Sequence, residues 1–92
     1  MIRVLFYAGV REQVGIFEAL VEESSGTLAG LIERLKERHG FSPAEFSQDK
    51  SADPLSALII MINGRHIAHV GGLDAPVSDG DVVSIFPLVG GG

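Results

Sequence analysis

Apolar residues along this 92-residue chain change their spacing several times, and each change predicts an element. Residues 2 to 8 are rich in β-formers and end at Gly9, and Ile16-Phe17-Glu18-Ala19-Leu20-Val21-Glu22 forms a second such run. The stretch between them, Gly9 to Gly15, has a glycine at each end and reads as the long loop of a hairpin. From Thr27 the period lengthens. The Thr27 hydroxyl can accept from a free backbone N–H, and Leu28, Leu31, Ile32 and Leu35 recur at i, i+3, i+4 and i+7. That spacing predicts an amphipathic helix to about His39, ended by Gly40, with Glu33, Arg34, Lys36, Glu37 and Arg38 on its wet face.

Residues 41 to 55 are rich in Ser, Asp and Pro, with Phe41 and Phe46 as the expected anchors, and read as a long surface connection with a helical turn near Ala44 to Phe46. Ala57 to Ile62 is apolar without alternation, as in a strand buried on both faces in the middle of a sheet. Asn63-Gly64 predicts a type I′ turn into a short strand, Arg65 to Ala68. Gly71-Gly72, Pro76 and Asp79-Gly80-Asp81 read as turns, and Val82 to Phe86 as the last strand, ended by Pro87. The expected fold is α+β: a mixed sheet with one helix across it, in a domain of residues 1–87 with a flexible tail, 88–92. Period-2 alternation puts Arg3, Leu5 and Tyr7 on one side of the first strand and Ser84 and Phe86 on the matching side of the last. If the helix covers the other face, Leu5, Tyr7 and Phe86 lie on the open one and mark an interaction surface.

Composition narrows the chemistry. A net charge of −5 with two lysines argues against nucleic acid as a partner and for a basic protein surface. No run approaches ~20 uninterrupted apolar residues, so neither a membrane span nor a leader is expected and the protein is read as cytoplasmic. With no cysteine, the chain has no thiol nucleophile or thiolate metal site. His66 and His69 lack acidic residues at a metal-motif spacing, Gly71-Gly72 is not followed by a phosphate-binding Lys-Ser/Thr, and Asp79-Gly80-Asp81 lacks the other oxygen ligands of a calcium loop. No metal site is expected. The unusual group left is the terminal carboxylate of Gly92, borne by Gly90-Gly91-Gly92 directly after Leu88-Val89. Three residues without Cβ atoms let that arm enter a narrow channel. A carboxylate is a poor acyl donor until activated, and attack on the α-phosphate of ATP inside a partner would supply an acyl adenylate.

These residues resemble a known family. Val4-Leu5-Phe6-Tyr7-Ala8 with Arg11-Glu12 and Gly15, Asn63-Gly64, Leu73 to Val83 and Ile85-Phe86-Pro87-Leu88-Val89-Gly90-Gly91-Gly92 are similar to the ubiquitin-like β-grasp sulfur carriers of the MoaD/ThiS type. The resemblance is greatest to MoaD, the small subunit of molybdopterin synthase. It implies a β-grasp fold with a mixed sheet of about five strands and one main helix across one face. It also implies that an E1-like adenylyltransferase of the MoeB type activates Gly92 with ATP, that a sulfur donor makes the thiocarboxylate, and that no cofactor is held permanently. Leu88, Val89, Gly90 and Gly91 would insert with Gly92 into the large synthase subunit, of the MoaE type. Docking would use Leu5, Tyr7, Phe86 and Pro87, with His66 added by its position after the Asn63-Gly64 turn. Leu88 stands where a second proline is frequent, and Gly90 where Ser, Thr or Ala commonly precedes the final pair.

Three other functions use the same features. A protein modifier would share the adenylate but end in an isopeptide bond. A carrier for thiamin thiazole synthesis is usually shorter, and the long segment from Phe41 to Leu55 counts against it. A non-reactive interaction domain would not need its tail.

Overall fold

The computed structural model describes residues 1–22, 25–48, 51 and 53–88. The elements in order are β1 (Ile2–Phe6), α1 (Ala8–Val14), β2 (Glu18–Val21), β3 (Ser25–Thr27), α2 (Leu28–His39), β4 (Leu58–Ile62), β5 (Arg65–His66), β6 (Pro76–Ser78) and β7 (Val82–Pro87). Five strands form a mixed sheet in the order β2-β1-β7-β4-β5; β1 and β7 are parallel and the other pairs antiparallel. β3 and β6 form a separate two-stranded antiparallel sheet.

The core lies between one face of the large sheet and α2. Ile2, Val4 and Phe6 of β1 are completely buried, as are Val83 and Ile85 of β7. They share one cluster with Leu28, Leu31, Ile32 and Leu35, the stripe predicted for the helix. Each such fully buried side chain contributes about 1.5–3 kcal/mol relative to exposure. Thr27 caps α2 as expected, its hydroxyl accepting from the Gly30 N–H at 3.4 Å, and Gly40 closes the helix in the left-handed conformation. Phe41 is buried beside Phe6, with ring centroids 6.4 Å apart, and Phe46 packs on the edge of the core. The connection between α2 and β4 holds two 3₁₀ turns, Pro43–Phe46 and Pro54–Ala57; the first is the turn expected there.

Several expectations need correction. The Gly9 to Gly15 stretch is not an extended loop but contains α1, because Val10 is fully buried and Val14, one turn on, packs against the core. Gly15 ends the helix at φ 82° and donates its N–H to the Arg11 carbonyl at 2.8 Å, a conformation that a Cβ would strain. Gln13 ties α1 to the start of the long connection. Its Nε2 donates to the Ser42 carbonyl at 2.9 Å and its Oε1 accepts from the Ser42 N–H at 2.7 Å. The apolar run of β4 is not buried on both faces: Leu58, Ile60 and Ile62 face the core, while Ile59 and Met61 are half-buried on the opposite side. Pro76 starts a strand rather than a turn, since β6 pairs with β3 in the segment leading into α2, where Thr27 lies opposite Pro76. β5 ends at His66, and β7 runs one residue past Phe86, with Pro87 opposite Leu58. Of the expected tail, Leu88 is described, whereas Val89, Gly90, Gly91 and Gly92 lie outside the described residues. Among the described residues no helix is long and apolar enough to cross a membrane.

Candidate functional site

The strand that precedes the C-terminus organises the site. β7 is flanked by β1 and β4, so its direction and register are set from both sides. Leu88 then donates its N–H to the Ala57 carbonyl at 2.9 Å, which fixes where the chain leaves the sheet. This exit lies beside the face that α2 leaves uncovered.

Register places that face's side chains in rows. Leu5 lies between Glu18 and Ser84, Ser84 is also opposite Met61, and Met61 is opposite His66. One step toward the exit, Phe86 lies opposite Ile59, and Tyr7 meets Phe86 edge-on with ring centroids 5.6 Å apart. Tyr7 is 38% exposed, and Leu5, Ile59, Met61 and Phe86 are half-buried. The result is an apolar patch with one exposed aromatic at its upper end. Tyr7 is held there by backbone on both sides: its N–H donates to the Ile85 carbonyl at 3.0 Å, and its carbonyl accepts from Val10 at 3.1 Å as α1 begins.

Charges border the patch rather than interrupt it. Arg3 forms an ion pair with Glu18 across β1 and β2. Arg11 donates Nε to the Phe6 carbonyl at 3.2 Å, and its guanidinium lies 5.8 Å from the centroid of the exposed Phe17 ring. At the other edge, Asn63 and Asp81 fasten the turn before β5 to the start of β7. Asn63 donates Nδ2 to Asp81 at 2.9 Å and accepts from the Val82 N–H at 2.9 Å, while Asp81 also accepts from the Ser78 N–H at 2.8 Å. The Asn63 hydrogen bond, then that from Ser78, holds the Asp81 carboxyl below its ordinary value. Asn63 at φ 53° and Gly64 at φ 83° have the two left-handed conformations that a type I′ turn requires.

Leu5, Tyr7, Phe86 and His66 lie along the face that α2 leaves uncovered; Pro87, by contrast, belongs to the alternate row of β7 with Val83 and Ile85, opposite core-facing Leu58, and exposed Leu88 lies at the exit. Ile59 and Met61 were missed because a run without alternation conceals which residues face outward. The role of Asn63 beyond its turn was also missed, for its partner Asp81 is distant in sequence. Gly92, the proposed reactive residue, and Val89, Gly90 and Gly91 are outside the described residues. Among the described residues no group of three or more His, Cys, Asp or Glu side chains could hold a metal ion.

Known proteins resemble this chain in sequence and in fold. The family model described as the ThiS family matches residues 4–92. Small archaeal modifier protein 3 of Haloferax volcanii is 29% identical over 90 residues, spanning 95% of this chain and 94% of its own. Among solved structures, a putative molybdopterin converting factor, subunit 1, from Pyrococcus furiosus is 28% identical with a TM-score of 0.67, covering 96% of this chain and 97% of its own. The solution structure of small archaeal modifier protein 1 from Methanosarcina acetivorans has a TM-score of 0.77 at 24% identity, covering 99% and 95% respectively, a likeness of fold. The expected ubiquitin-like β-grasp is therefore the fold, with α1 added to the one main helix.

Proposed function

This chain belongs to the ThiS family, and on that premise we propose that it is a sulfur carrier whose Gly92 is adenylylated by an E1-like enzyme of the MoeB type. The Gly92 carboxylate oxygen attacks the α-phosphate of ATP, forming the acyl adenylate and releasing pyrophosphate. Hydrosulfide released by a sulfur donor at the partner then attacks the carbonyl carbon, forming the C–S bond as the C–O bond to AMP breaks, and loss of the S–H proton leaves a thiocarboxylate. The chain holds no permanent cofactor in this scheme; ATP and the donor come through the partner, in the cytoplasm. It is a carrier rather than an enzyme by itself.

The observation that carries this reading is the path of β7, which brings the chain to Pro87 and Leu88 beside an apolar face just before the glycines. A partner gripping Leu5, Tyr7, Phe86, Ile59 and Met61 would hold the base of the arm while Gly90, Gly91 and Gly92 enter its active site. We assign the sulfur to molybdopterin synthesis, delivered inside a large subunit of the MoaE type, supported by the likeness to the Pyrococcus furiosus protein. A second reading, a modifier forming isopeptide bonds through the same adenylate, is favoured by the likeness to small archaeal modifier protein 3.

Intact-mass spectrometry of the protein from its native host tests the first reading. The expected result is a fraction in which one oxygen is replaced by sulfur, absent after deletion of Gly91-Gly92. Failure to find it under conditions that demand the cofactor would refute the carrier reading. Gly92-dependent conjugates on a denaturing gel would establish the second.

A further inference from the structure

His66 ends the row that runs from Glu18 through Leu5, Ser84 and Met61. It is half-buried at the border of the apolar patch, and the Ala68 N–H donates to its Nδ1 at 3.0 Å. A backbone amide can only donate, so Nδ1 must be the acceptor and the neutral ring carries its proton on Nε2. The tautomer is set by the fold, because this bond also caps the 3₁₀ turn Ile67–His69. Among the described residues no protein atom accepts from Nε2. Its neighbours in the row, Met61 and then Ser84 and Leu5, leave an oriented donor beside otherwise mainly apolar side chains.

We propose that His66 is a specificity-determining contact, requiring the docking enzyme to present a hydrogen-bond acceptor, a backbone carbonyl or carboxylate, opposite Nε2. This rests on the carrier reading and deepens it. Closing an apolar partner surface over the patch would strip water from Nε2–H without replacing the bond, and that cost discriminates among partners more sharply than a missing apolar contact does. The nearby His69, with ring centroids 6.3 Å away, does not convert the pair into a metal site. Coordination through Nε2 would move the proton to Nδ1, against the Ala68 N–H.

The test uses the full-length chain and the E1-like enzyme that co-purifies with it, read by titration calorimetry and by ATP–pyrophosphate exchange. His66→Leu removes the donor and adds apolar surface. His66→Asn keeps a side-chain oxygen within reach of the Ala68 N–H but withdraws the donor from the partner. Both are expected to weaken binding about five- to a hundredfold, raising the KM for the carrier with kcat unchanged, while His66→Asn unfolds at the wild-type temperature. Equal or tighter binding by His66→Leu or His66→Asn would overturn the inference, provided that wild-type exchange proceeds and depends on Gly92. Absence of exchange with the wild-type chain would instead remove the carrier reading, and the assignment of His66 with it.

Discussion

The Asn63–Asp81 link offers a stringent test because it joins the turn leading to His66 with the start of the strand leading to the tail. Asp81→Ala removes the acceptors for Asn63 Nδ2 at 2.9 Å and the Ser78 N–H at 2.8 Å. Each bond to a charged acceptor would contribute ~1.5–3 kcal/mol in a protected setting, but this carboxylate is largely solvated, so a total of about 1–2 kcal/mol is expected. For a domain of this size that corresponds to a fall of about 5–15 °C in Tm at pH 7. The pH dependence identifies the cause. The folded-state pKa of Asp81 is depressed, so its contribution is complete well above the unfolded value of ~3.9 and is lost as pH falls through the folded value. Urea unfolding of wild type and variant should therefore give a wide stability gap at pH 7 that is narrower at an acid pH below the unfolded value of ~3.9. A gap of the same size at both pH values would refute the electrostatic account and assign the loss to turn conformation alone.

Gln13→Ala should cost about 1–3 kcal/mol, since the Ser42 amide and carbonyl both lose their side-chain partner; urea unfolding measures it. Tyr7→Arg should weaken association with the adenylating enzyme at least tenfold, consistent with loss of an aromatic anchor, while leaving the fold intact; unchanged affinity in calorimetry would remove Tyr7 from the interface. Deleting Gly91-Gly92 should abolish thiocarboxylate formation with a negligible change in Tm, and a large fall in Tm would show that the tail belongs to the folded domain.

What the sequence determined by itself was set by local rules. The i, i+3, i+4, i+7 spacing from Leu28 to Leu35, with Thr27 before it and Gly40 after it, specified α2 because helix periodicity and capping act within a few residues. Alternation alone put Leu5, Tyr7 and Phe86 on a common side, and Asn63-Gly64 specified its turn through its left-handed conformations. The tertiary structure decided matters that depend on distant partners. α1 forms because Val10 finds a place in a core built from the whole chain, a signal that a pair of valines between two glycines barely carries. β6 exists because β3 lies beside it. Ile59 and Met61 face outward because α2 covers one side of the sheet, a choice to which a uniformly apolar run is blind. The proton on His66 is assigned to Nε2 because a turn two residues on directs an amide at Nδ1, an arrangement of hydrogen bonds rather than of residue types.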